Sequence, residues 1–157
     1  MRRFGLSEWS SVAEIVGTIA VVISLLFVAQ SINRNTDEIH AQQLNDLYDA
    51  NREIELALAS DATWSDIVTR GNVQSSDLSE SEKYRYDKYW AAHLNLWEQL
   101  IGRHEQGMIP QSHYSGWNTA YAYLVGESLD VETWERLKPF FPGPEIQRRI
   151  EEAIKRR

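Results

Sequence analysis

The chain has 157 residues, enough for one domain plus a tail or an anchor, and it has no cysteine, which excludes disulfides, thiolate metal sites and cysteine nucleophiles. Its formal net charge is −7, and residues 37–146 hold 19 acidic against 8 basic side chains. This acidic body argues against nucleic acid as a partner, because phosphate recognition needs clustered Lys and Arg.

The first predicted element is an apolar helix. Residues 15–29 carry no charge, and their only polar side chains are Thr18 and Ser24, whose hydroxyls can bond to carbonyls of the same helix. A helix that is apolar on all sides needs a large core or lipid around it, and the rest of the chain is too short to cover it. Residues 12–32 have the length that crosses a bilayer, and Trp9 precedes them as an interfacial anchor.

A cleaved signal peptide is the alternative for this stretch. Cleavage needs small residues before the cut, but Phe27 stands two residues before Ala29, and the acidic Glu14 at the start of the run is unusual for a signal. We therefore expect an uncleaved, single-pass protein of the cell inner membrane, with membrane lipid as a partner.

One side of the predicted span carries small residues at steps of three and four. Small residues let two helices approach closely in lipid, which predicts self-association or contact with another membrane protein. Glu14 lies beside this side and either extends to the headgroups or forms a protonated or paired carboxyl at the contact. The candidate interface residues are Ser10, Ala13, Glu14, Gly17, Ala20 and Ser24.

Residues 13–39, "AEIVGTIAVVISLLFVAQSINRNTDEI", resemble the start of a widespread group of small uncharacterised bacterial single-span membrane proteins. The shared pattern is a Glu-Ile-Val-Gly entry, an Ala-Val-Val core and an Asn-Thr exit. A later Trp-Glu pair, here at residues 97–98, is similar more loosely. The resemblance implies an anchor followed by a helical body, and it transfers no functional residue.

The side of the membrane on which the body lies stays open. Arg2 and Arg3 precede the span and Arg34 follows it, which weakly favours a cytoplasmic N-terminus and a body outside. Members of the similar group often carry more positive charge after the span, which implies a cytoplasmic body. Asp37 and Glu38 depart from that pattern here.

Helical spacing continues beyond the span. A row of mostly apolar residues at steps of four and three predicts that the first helix extends to about residue 59. This row, the seam of the first helix, comprises His40, Leu44, Leu47, Asn51, Ile54 and Leu58. Ser60 is expected to cap a short second helix that Gly71 ends.

The later helices begin at recognisable capping residues. Ser79 and Glu82 form a capping box for an aromatic third helix, which Gly107 and Pro110 end. A fourth helix is predicted over residues 112–125, a fifth is capped by Asp130 and ended by Pro139, and a sixth begins at Pro144. No strand pattern is found. The sequence thus predicts an all-α fold with a tail (1–11), a transmembrane helix (12–32) that continues into a long helix, and a helical body (33–157) of several shorter helices packed as a small bundle.

No motif for catalysis, metal binding or a cofactor is found in the sequence. The Glu-x-x-His pairs of di-iron bundles are missing, and His93 and His104 lie three helical turns apart, too far to share one metal ion. If Glu98 were buried, its raised pKa would suit a general acid, but a salt link to Arg103 or His104 is the structural alternative.

Aromatic residues of the third and fourth helices can serve in two ways. They either fill the core, as bulky side chains at helical spacing usually do, or line an aromatic slot between two helices. The slot candidates are Trp90, Trp97, Glu98, Trp117 and Tyr121. We therefore expect a non-enzymatic, membrane-anchored module for self-association or as accessory partner of a membrane protein. The alternative is a membrane-tethered sensory or ligand-binding domain.

Overall fold

The computed structural model describes residues 6–156, with side chains from residue 14 onward. Six α-helices and two short 3₁₀ turns account for this part of the chain, and it contains no strand. The prediction of an all-α fold is confirmed. The helices are α1 (Leu6–Ser60), α2 (Ala62–Gln74), α3 (Glu80–Glu105), α4 (Gln111–Ser128), α5 (Val131–Leu137) and α6 (Pro144–Lys155).

The chain divides into two compact units, Met1–Ala41 and Gln42–Arg157. In the first unit every side chain of residues 14–39 is exposed. The hydroxyls of Thr18 and Ser24 donate to the carbonyls of Glu14 and Ala20 at 2.9 and 2.8 Å, so neither adds an unpaired polar group to the apolar surface. By length and composition, α1 is the one described helix that can cross a membrane.

The second unit is built around α3. Tyr86, Trp90, Leu94 and Leu100 of this helix are at most 1% exposed. Helices α2, α4, α5 and α6 all pack against α3, and α4 also packs along α6. This packing gives the body a single core. Trp97 of α3 is also fully buried, and the surrounding helices and their connections add further large buried side chains: Ile67, Ile109, Val125, Leu129, Trp134, Phe141 and Ile150.

The predicted capping residues are confirmed at most helix ends. The Glu82 carboxylate accepts hydrogen bonds from the Ser79 N–H and hydroxyl at 2.9 and 2.8 Å. The Asp130 carboxylate accepts from the Thr133 N–H at 2.8 Å, and Pro144 occupies the first turn of α6. Gly107 follows α3 with φ of +74°, a conformation that side chains disfavour.

The expected cap of α2 by Ser60 is wrong. The N-cap is Asp61, whose Oδ1 accepts from the Trp64 N–H at 3.0 Å. Ser60 instead ends α1, and its hydroxyl donates to the Ala57 carbonyl at 3.1 Å. Both residues are good capping types, so the position of the break between the helices decides which one is used.

The expected end of α2 at Gly71 is also wrong, because the helix runs to Gln74. Gly71 is buried against the ring of Tyr86, where an added Cβ would lie 2.6 Å from Cε2. Tyr86 cannot easily move, because it is fully buried and its hydroxyl donates to Asn72 Oδ1 at 3.0 Å. Close packing of α2 on α3 therefore explains the glycine.

We predict that Gly71→Ala destabilises the body by about 1–3 kcal/mol, the usual cost of overpacking. The matched control is Gly102→Ala in α3, where an added Cβ has no described neighbour within 4 Å. That change should stabilise by about 0.5–1 kcal/mol, since alanine favours a helix interior more than glycine does. Denaturant unfolding of both variants, followed by circular dichroism, measures the difference. Equal effects of the two changes would contradict the packing role of Gly71.

Candidate functional site

A pocket of about 470 Å³ lies within the second unit between α1, α3 and α4. This volume falls within the range of small-molecule sites. The α1 residues face it one helical turn apart, and the α4 residues follow at steps of three and four, so helix geometry sets both walls. The lining residues are Asn51, Glu55, His93, Gly116, Trp117, Ala120, Tyr121 and Leu124.

A short chain of hydrogen bonds links the polar groups of this pocket. The Tyr121 hydroxyl donates to Asn51 Oδ1 at 3.3 Å, and Asn51 Nδ2 donates to Glu55 Oε1 at 2.8 Å. Asn51 therefore connects α4 to α1 and holds the Glu55 carboxylate on one side. The second carboxylate oxygen is left for solvent or a ligand.

His93 is the buried polar residue of the pocket. Its side chain is 6% exposed, and Nδ1 has no hydrogen-bond partner within the described part of the chain. Burial lowers the pKa of His93 to about 4, and the negative charge of Glu55 opposes this shift only in part. The imidazole is therefore neutral at neutral pH.

The phenols beside His93 stay protonated for a related reason. Burial raises the pKa of Tyr121 and of Tyr89, and the charge of Glu55 raises both further. The Tyr89 ring meets the His93 ring edge-on, with centroids 4.6 Å apart. His93 and Tyr121, which both line the pocket, are therefore uncharged beside the Glu55 carboxylate.

The predicted slot residues separate into two groups. Trp117 and Tyr121 line the pocket with ring centroids 5.9 Å apart. Trp97 stacks behind Tyr121 at 6.1 Å and is 1% exposed, with Nε1 donating to Asn118 Oδ1 at 2.9 Å. Trp90 is fully buried in the core. Of the predicted slot residues, the α4 aromatics therefore line the pocket, and Trp97 of α3 packs behind Tyr121.

Glu98 lies away from this pocket. It is half-buried, and its Oε1 would be 3.0 Å from a Cβ added at Gly143. The salt link expected with Arg103 or His104 is not formed. Arg103 instead donates to the Gln43 carbonyl at 2.7 Å, and His104 Nδ1 contacts the Ile109 carbonyl at 2.8 Å.

The candidate interface on α1 is exposed where it is described. Glu14, Gly17, Ala20 and Ser24 are all exposed, and a Cβ added at Gly17 would meet no described atom within 4 Å. The side chains of Trp9, Ser10 and Ala13 lie outside the described ones.

Sequence reasoning missed Asn51, Glu55 and His93 as members of one site. The position of Asn51 could have indicated a functional role, because it is the amide in the otherwise mostly apolar seam of α1. Its meeting with His93 depends on how α1 packs against α3 and α4, which local spacing does not encode. Among the side chains that the structure describes, those of residues 14–156, no three His, Asp or Glu residues come together as ligands for a metal ion.

No protein-family model matches this chain, and neither a curated protein nor a solved structure shows significant similarity to it.

We predict that the body loses about 2 kcal/mol of stability between pH 7 and pH 5 through His93. The folded-state pKa is about 4 and the ordinary value is 6.5, so in this window the unfolded chain binds the proton that the folded chain excludes. Stability is present above pH 6.5 and is lost as the pH falls. Denaturant unfolding at both pH values measures the loss. It should be smaller in His93→Gln, and an equal loss in the variant would contradict the assignment.

Proposed function

We propose that this chain is a non-enzymatic, single-pass protein of the cell inner membrane, with residues 12–32 as its anchor. The observation that carries the proposal is the uncovered apolar surface of α1, since every side chain of residues 14–39 is exposed and residues 15–29 hold no charge. Apolar surface left in water costs about 25 cal/mol per Å². Lipid around the helix removes that cost.

The anchor also brings copies of the chain together. Lipid tails are as apolar as the side chains of the span, so helix association depends on close packing. Gly17 offers the closest approach, and Ala20 and Ser24 continue the same side of the helix. The same side suits a small-residue helix of another membrane protein, for which this chain would be an accessory partner.

Gly17→Ile should weaken self-association severalfold, because its branched side chain holds two helices apart. Val22→Ile, on the opposite side of the helix, is the matched control and should leave association unchanged. The native chain has no cysteine, so one introduced cysteine labels the full chain for energy transfer between copies in lipid vesicles. Equal transfer in the two variants would contradict association through this side, and failure to enter vesicles would contradict the anchor.

We propose small-molecule binding by the body as a second function, in a sensory role. The pocket beside Trp117 and Tyr121 supports it, since apolar walls with a few polar groups are typical of ligand sites. His93 adds a buried polar group that lacks a described partner at Nδ1.

Native mass spectrometry of the detergent-purified full chain tests this second function. We expect one small molecule per chain in the parent and its loss in Trp117→Ala. Tyr123→Ala is the control, because Tyr123 lies on the same helix, is 69% exposed and is not part of the pocket lining. A parent with the mass of the bare chain would contradict ligand binding.

A further inference from the structure

We propose that the pocket between α1, α3 and α4 binds a small organic cation, an amine or quaternary ammonium group carried on a flat apolar body. This proposal rests on small-molecule binding, the second proposed function. It adds the chemical class of the ligand, which the charge and the rings of the pocket select.

The charge argument concerns Glu55. It is the one formally charged member of the eight described lining residues at neutral pH, because burial keeps His93 neutral. No described Lys or Arg forms an ion pair with the Glu55 carboxylate, which accepts one hydrogen bond from Asn51. Its field reaches Tyr121 in the pocket lining and Tyr89 beside His93, and it raises the pKa of both phenols further. A cation is therefore attracted and an anion repelled.

The aromatic rings favour the same class of ligand. The faces of Trp and Tyr rings carry negative potential and attract ammonium groups within about 6 Å, with Trp the strongest. Trp117 is half-buried and is held by Tyr48, whose ring meets it edge-on at 4.9 Å, and by Tyr121. A ring fixed in this way loses little freedom when it binds a cation.

The shape of the pocket suits a flat apolar body. Gly116 and Ala120 are small and lie on the α4 wall, and Leu124 and Trp117 supply apolar contact. A neutral apolar ligand of the same shape would cover Glu55 without offering a counter-charge, which is costly for a carboxylate. The ammonium group supplies that charge, so the cation has the advantage over its neutral isostere.

The test measures binding of phenethyltrimethylammonium and of its neutral tert-butyl isostere to the detergent-purified full chain by calorimetry. We expect the cation to bind and the isostere to bind at least about tenfold more weakly. Glu55→Gln should reduce the affinity for the cation by about tenfold, which corresponds to about 1.4 kcal/mol. The glutamine keeps the shape of the side chain and an oxygen for Asn51, so the fold is retained.

Glu53→Gln is the matched control, because Glu53 is an exposed α1 residue outside the pocket lining and its loss changes the net charge equally. It should bind the cation like the parent. Equal weakening in both variants would show a general charge effect and overturn the proposal. Equal binding of both probes, unaffected by Glu55→Gln, would overturn the cation class and leave ligand binding intact. Binding of neither probe would overturn the cation class, while the native mass of the parent chain decides ligand binding separately.

Discussion

The body depends on covering one aromatic face of α3. A buried Trp or Tyr removes roughly 150–250 Å² from water, so this face dominates the hydrophobic energy of a small domain. Each surrounding helix contributes residues to that cover: Val68 from α2, Tyr121 and Val125 from α4, Trp134 from α5, and Ile150 from α6. Covering this face buries the Nε1 atoms of Trp90 and Trp134 without a described hydrogen-bond partner. Burial of the ring outweighs that loss.

The pocket exists because α1 covers this core incompletely. Among the described side chains of α1, Leu47 alone is fully buried. One turn further on, α1 presents Asn51 and then Glu55 toward α4, and neither fills space as a leucine would. The Tyr121–Asn51 hydrogen bond holds the helices beside the gap. Polar residues at these two positions thus keep the pocket open and give it its charge.

Local chemistry predicted the fold well and the site only in part. The helices and the caps at Ser79, Asp130 and Pro144 follow from short-range hydrogen bonds and fixed backbone angles, which a sequence encodes directly. Gly71 was misjudged because contact with Tyr86, fifteen positions later in the chain, overrides its tendency to end a helix. That Trp117 and Tyr121 lie on the same side of α4 follows from their spacing of four residues. Their proximity to Asn51, Glu55 and His93 is set by tertiary packing.

The burial that shapes the pocket also sets the protonation of its side chains. A general base works best when its pKa is near the working pH, and burial takes His93 far below that value. Glu55 is exposed on α1, and its carboxylate accepts a hydrogen bond from Asn51. A neutral imidazole, a protonated phenol and one carboxylate bonded to Asn51 are the titratable groups of the pocket lining. Such a set suits the proposed binding of a ligand, because the neutral His93 leaves the charge of Glu55 uncompensated within the lining.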